Sequence, residues 1–174
     1  MSSRVASSLT DSHSSTLATM QQAQLCEAKN FREADSRLST AGQPTEEQLA
    51  SAAVHGVQVV INLAPHDDPR YSLQDERGCV EGCGMIYVHI PVQFAAPTET
   101  DLLAFFDAMD VYRERRILVH CAANYRVTAF VGLYRVARQG WSSGEAFDLM
   151  RTVWEPNEVW TNFIAAMLEK HGNS

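Results

Sequence analysis

Apolar positions along the chain alternate between short β-branched runs and longer stretches with helical spacing. VQVVINL, residues 57–63, is nearly all apolar and predicts a strand covered on both faces. Ahead of it, Pro44 and the capping pair Thr45 and Gln48 open a helix with apolar residues from Leu49 to Val54, and Gly56 stops it. MIYVHIPV, residues 85–92, predicts a second strand, and Thr98 with Asp101 caps a helix through LLAFFDAMDVYR. RILVHC predicts the next strand, followed by a helix from Arg126 to Arg138 that Gly140 ends. Two further helices are expected, one from Ser142 or Ser143 to about Val153 and one from about Asn157 to Lys170, separated by Pro156. Strands and helices in this alternation give an α/β fold with a central, mostly parallel sheet flanked by helices.

Other stretches carry less pattern. Residues 1–20 are rich in Ser and Thr and poor in large apolar side chains, so they are expected to form a tail ahead of a single domain over residues 21–174. Residues 21–31 are helix-compatible without a strong apolar stripe. The segment from Ala64 to Gly84, with Pro65, Pro69, Gly78 and Gly82, is expected to be a loop holding one helical turn around Ser72–Arg77.

At 174 residues, 45% of them hydrophobic, the chain can bury one core. The net charge of −7, without an extended run of Lys and Arg, argues against nucleic acid and anionic membrane as partners. No apolar stretch is long enough to span a bilayer and the N-terminus lacks a signal-peptide core, so a soluble, cytoplasmic protein is expected. In that setting Cys26, Cys79, Cys83 and Cys121 are free thiols. Cys79 and Cys83 lack a nearby histidine or second cysteine pair that would complete a metal site, and none is expected.

Cys121 is placed differently from the others. It ends an apolar strand and precedes a short loop and a helix, where backbone N–H groups and the positive end of the helix dipole favour an anion and ease ionisation of a thiol. Arg126 adds a guanidinium fork suited to two oxygens of one tetrahedral anion. Thr128 is placed to donate a hydrogen bond to the sulfur. These features describe covalent catalysis by cysteine on a phosphoester.

VHCAANYRVT resembles the signature loop of the cysteine-dependent protein tyrosine and dual-specificity phosphatases: His-Cys, five residues, Arg, then Ser or Thr. LSTAGQPTEEQLASAAVHGVQVVINL followed by GMIYVHIPV is similar to a bacterial branch of that superfamily, the phosphatase-like domain of beta-lactamase-hydrolase-like proteins. Over roughly residues 30–140 the resemblance implies a protein tyrosine phosphatase-like fold, a phosphocysteine intermediate and neither metal nor other cofactor. By position it makes Cys121 the nucleophile, Arg126 the phosphate clamp and Thr128 the hydroxyl that helps discharge the sulfur. The backbone of Ala122, Ala123, Asn124 and Tyr125 becomes the cradle.

Two departures stand out. Four residues, where the family has five, separate Cys121 from Arg126, and Asn124 falls on the family's loop glycine, a position that Asn tolerates best among the other residues. Near a helix start, one residue of displacement turns a side chain by about 100°. The family's general acid lies in the loop after the second strand, where this chain has QFAAPTETD, with Gln93 and Phe94 in the expected neighbourhood. The acid is then Asp101, Glu99, or a carboxylate of the other rim loop, Asp67 or Asp68. His66 lies in that same loop.

The leading reading is a phosphatase for phosphotyrosine or a small aryl-like phosphomonoester, on a phosphorylated protein or a small molecule. Phenolate leaves readily even with a weak acid, whereas a loop without lysine offers nothing for the extra phosphates of an inositide. A rhodanese-type sulfurtransferase and a non-catalytic phosphate-binding module are the alternatives. Trp154, Trp160 and Phe163 belong to the core or wall the pocket. The oligomeric state is not legible.

Overall fold

In the computed structural model, residues 24–172 are described. The tail expected over residues 1–20 lies outside the described residues. The elements in chain order are β1 (Arg32–Glu33), β2 (Leu38–Ala41), α1 (Glu46–Val54), β3 (Val59–Asn62), a 3₁₀ turn (Pro69–Tyr71), α2 (Glu76–Gly82), β4 (Ile86–His89) and α3 (Glu99–Val111). They are followed by β5 (Ile117–His120), α4 (Tyr125–Gln139), α5 (Ser143–Ala146), α6 (Asp148–Arg151) and α7 (Glu158–His171). The five strands form one sheet in the order β1-β2-β5-β3-β4. Only the β1–β2 pair is antiparallel; the others run parallel, as the alternating pattern predicts.

Successive residues of β3 and β5 face opposite sides of the sheet, and each side is covered. Val59, Ile61, Ile117 and Val119 share a core with Leu102, Phe105 and Phe106 of α3, Phe130 of α4, and Trp160 of α7. Val60 and Leu118 face the other way, onto Leu49 and Ala52 of α1 and Val80 of α2. The capping box of α1 is formed as expected, Thr45 Oγ1 accepting from the Gln48 amide and Gln48 Oε1 from the Thr45 amide, both near 3 Å.

Several expectations need correction. The expected turn around Ser72–Arg77 is displaced: a 3₁₀ turn precedes it and the regular helix starts at Glu76, because Asp75 accepts from the Gly78 amide and caps it. Gly78 is part of that cap rather than a breaker, since a Cβ there would run into the Asp75 carboxylate. Strand β2, LSTA, was hidden by its two polar residues. Thr40 is fully buried, yet its hydroxyl accepts from Asn124 Nδ2 at 2.9 Å, so the strand is internal despite its composition. The helix expected up to Val153 is two short ones, broken at Phe147, whose ring packs on Gly132 of α4.

Candidate active site

The parallel strands end on one line. Register places Ala41 and Asn62 beside His120, and His89 beside Asn62, so the residues that follow each strand gather at one edge of the sheet. There they enclose a cleft of about 340 Å³. Its lining includes Asp67, Asp68 and Tyr71 from the loop after β3, Gln93 and Phe94 from the loop after β4, and Cys121, Ala122, Ala123, Tyr125 and Arg126. Cys121 is only 1% exposed and forms part of the cleft wall.

The backbone after Cys121 is held by its carbonyls. The Gln43 amide donates to Ala122 O at 3.1 Å, Asn30 Nδ2 to Ala123 O at 3.0 Å, and the Thr128 amide and hydroxyl to Asn124 O at 3.2 and 2.9 Å. The Thr128 hydroxyl also lies 3.1 Å from Tyr125 O. In a trans peptide the N–H opposes the C=O, so the amides of Ala123, Tyr125 and Arg126 are turned away from these partners and toward the cleft that the same residues line.

Helix α4 adds to the effect. Its first internal bond runs from Thr128 to Asn124, leaving the amides of Tyr125, Arg126 and Val127 without an acceptor in the helix. Asn124 does not cap them. It stands at φ 68°, the left-handed conformation expected of it, and its Nδ2 donates to Asn30 O and Thr40 Oγ1. The result is an uncapped helix start above a buried thiol, an arrangement that suits an oxyanion.

Arg126 enters from the second position of α4. Its Nη1 donates to Val92 O at 2.8 Å, its guanidinium lies 5.7 Å from the centroid of the Phe94 ring, and its buried Nε has no partner among the described residues.

A family described as a DSP-PTPase phosphatase fused to NAD+ kinase matches residues 12–159. The chain belongs to this phosphatase family. A DUF442 protein from Shewanella putrefaciens CN-32 is 32% identical over 87% of this chain and 99% of its own, with a TM-score of 0.77. More distant structures share the fold. P. aeruginosa TpbA is 18% identical over 79% of this chain and 84% of its own, with a TM-score of 0.63. The core catalytic domain of the PP-IP phosphatase SIW14 from S. cerevisiae is also 18% identical, over 79% of this chain and 85% of its own, with a TM-score of 0.62. No curated protein matches the chain.

Against the phosphatase pattern, the sequence candidates divide. Asp67 and Asp68 line the cleft, whereas Asp101, in the first turn of α3, does not, and Glu99 is bonded to Lys170 and His171. The Asp68 carboxylate is taken by Arg70, whose hydrogen bonds hold it below the usual carboxylate range; Asp67 makes no ion pair among the described residues. Thr128 donates to loop carbonyls and accepts from Trp154 Nε1 at 3.1 Å, so it fixes the loop rather than touching the sulfur. Trp154 stacks on Tyr125 with centroids 4.8 Å apart, whereas Trp160 is core.

Sequence reasoning missed two groups. Gly42 allows the β2 end to approach the loop, since a Cβ there would sit 2.7 Å from Ala122 O; a glycine directly after LSTA was the available signal. Glu76 gave no local signal at all. It is 1% exposed, and its Oε2 accepts from Tyr87 Oη at 2.6 Å and Asn62 Nδ2 at 2.7 Å. Its Oε1 accepts from Gln43 Nε2 at 2.8 Å and lies 3.0 Å from His120 Nε2. Burial alone would push this carboxyl up, but His120, Tyr87 and Gln43 outweigh it and hold it at about 2. Burial, reinforced by Glu76, pushes the Tyr87 hydroxyl well up, so it remains a donor.

Proposed function

We propose that this phosphatase hydrolyses aryl phosphomonoesters, phosphotyrosine foremost, through a phosphocysteine intermediate. The observation that carries the reading is the cleft floor: a thiol beneath a loop whose carbonyls are bonded away from it, next to a guanidinium whose Nε has no partner among the described residues. Cys121 gives up its thiol proton to solvent and attacks phosphorus as the thiolate, the S–P bond forms, and the P–O ester bond breaks. The cradle amides and Arg126 hold the equatorial oxygens as charge builds on them. Asp67 gives its proton to the leaving oxygen. Water then attacks phosphorus and passes a proton to Asp67, the S–P bond breaks, and phosphate leaves. Thr128 acts on the loop backbone.

The aromatic walls support the choice of substrate. Tyr71, Phe94 and Tyr125 line the cleft and would flank a phenyl ring, and TpbA, which shares the fold, has been crystallised as a cysteine-to-serine variant in complex with phosphotyrosine. The test is hydrolysis of p-nitrophenyl phosphate and of a phosphotyrosine peptide. Cys121→Ser is expected to abolish both, and Asp67→Asn to lower kcat by roughly 10²–10⁴. Activity surviving Cys121→Ser excludes the mechanism. Sulfur transfer from thiosulfate to cyanide without phosphatase activity would select the rhodanese chemistry instead, and tungstate binding without turnover in either assay would select a non-catalytic phosphate-binding module.

A further inference from the structure

The edge of the sheet opposite the cleft carries a second cavity, of about 150 Å³. β2 and β5 begin there side by side, at Leu38 and Ile117, and the turns that lead into them bring Asp35, Arg37, Arg113 and Arg115 together, while Arg135 and Gln139 enter from the end of α4. In a chain of net charge −7 this is a local reversal of sign.

The four arginines are short of partners. Arg37 Nη1 donates to Glu114 Oε2 at 2.9 Å and to Arg113 O at 3.3 Å, Arg113 Nε reaches Glu114 only at 3.9 Å, and the Arg115 side chain has neither a hydrogen bond nor an ion pair among the described residues. Asp35 Oδ1 accepts from the Arg37 and Leu38 amides at 2.7 and 2.9 Å, and Asp110 nearby is taken by Tyr134 and Arg138. Two carboxylates, Asp35 and Glu114, thus stand against four guanidinium groups, and two positive charges remain. Arg135 decides what they are for. It is 6% exposed, its side chain has no hydrogen bond or ion pair among the described residues, and its guanidinium stacks on the Trp141 indole 4.4 Å from the ring centroid. Stacking uses the face of a guanidinium and leaves its in-plane N–H groups free. A buried cation without an acceptor is costly, and burial pulls the Arg135 pKa below its ordinary value although Asp35 opposes the shift. The Arg135 carbonyl is bonded by the Gly140 and Trp141 amides, so the negative end of α4 is capped.

We propose that this cavity is a second anion site, separate from the catalytic cleft, that takes a phosphoryl group on the forks of Arg135 and Arg115 with Arg37 and Arg113 beside them. A dianion matches the two charges left over. A tetrahedral group also accepts from donors that arrive from different elements, which a planar, singly charged carboxylate does not match. Free phosphate and a phosphate ester on a larger molecule offer the same chemistry. Arg126 and Arg135 lie nine residues apart on α4, roughly 13 Å along its axis, so both sites can be filled at once.

The tryptophans read the two sites separately, because Trp141 stacks on Arg135 whereas Trp154 stacks on Tyr125 of the cleft. Inorganic phosphate is titrated into the full chain labelled with nitrogen-15, and the indole N–H signals are followed, with sodium chloride at matched ionic strength as the control. A saturable shift of the Trp141 signal is expected. It should weaken at least about tenfold in Arg115→Met, and likewise in Arg135→Lys, whose ammonium keeps the charge but not the fork. Arg115 is exposed, so its variant decides if the Arg135 variant does not fold. The absence of a Trp141 shift at millimolar phosphate, the same shift with sodium chloride, or a shift that Arg115→Met leaves equally tight overturns the proposal. A phosphoserine peptide titrated into Cys121→Ser protein distinguishes the sources: binding at Trp141 at least as tight as that of phosphate assigns the site to a phosphorylated partner, and weaker binding assigns it to free phosphate.

Discussion

Glu76 makes acid sensitivity a quantitative matter. Its carboxyl is held at about 2 in the folded protein, against 4.5 for an unrestrained glutamate. The unfolded chain therefore takes up a proton in mild acid that the native site refuses, so the stabilisation is complete above about pH 4.5 and is lost as pH falls toward 2. At about 1.4 kcal/mol per pH unit the difference amounts to about 3 kcal/mol. That is a large part of the roughly 5–15 kcal/mol that separates a folded domain from its unfolded chain. Urea unfolding followed by tryptophan fluorescence at a series of pH values, in wild type and Glu76→Gln, isolates the effect. Asp68 and Glu99, also held low, are present in both proteins and cancel. The two stabilities are expected to differ by about 3 kcal/mol at neutral pH and to converge below about 4.5. A gap that stays constant across that range would refute the assignment.

Gly42→Ala forces a Cβ to 2.7 Å from the Ala122 carbonyl and should reduce turnover of p-nitrophenyl phosphate far more than it reduces the melting temperature; the reverse pattern contradicts the close approach. Gly132→Ala drives a methyl group into the Phe147 ring and should destabilise by about 1–3 kcal/mol in chemical denaturation, with kcat preserved in the folded fraction. Thr45→Ala removes the α1 capping box and should lower stability by about 1 kcal/mol, while Thr45→Ser should lose little.

Much of this fold is local in origin and was legible in the sequence. β3 and β5 lie in short apolar runs rich in Val and Ile, too short for a helix between their flanking polar and turn residues, and α1, α3 and α7 carry side-chain caps at Thr45, Thr98 and Asn157. What escaped is held by partners distant in sequence. β2 contains Ser39 and Thr40 and becomes internal only because Asn124, 84 residues away, satisfies Thr40. Glu76 is an ordinary acidic residue in a helix until the ends of four strands fold around it. The cleft followed the same division: Cys121 and Arg126 announced themselves by their place between strand and helix, whereas Gly42 and Glu76 acquire meaning only from the register that aligns Ala41, Asn62 and His120.

The short spacer and the absent acid have one physical explanation. With four residues between Cys121 and Arg126, the arginine stands at the second position of α4, and its guanidinium must be held over the cleft. The loop after β4 does this: Val92 O accepts Nη1, Phe94 lies beneath the guanidinium plane, and Trp160 Nε1 in turn holds Phe94 O at 2.9 Å. A loop that anchors the arginine in this way presents a carbonyl and an aromatic face to the cleft, and a carboxylate placed there would compete with the phosphate for the same guanidinium. On the opposite rim the loop after β3 brings Asp67 to the cleft and Arg70 neutralises Asp68 beside it, which is what makes Asp67 the proposed proton donor. Spacer length and acid position are on this account coupled, so inserting one residue after Ala123 should lower activity unless the β4 loop is changed with it.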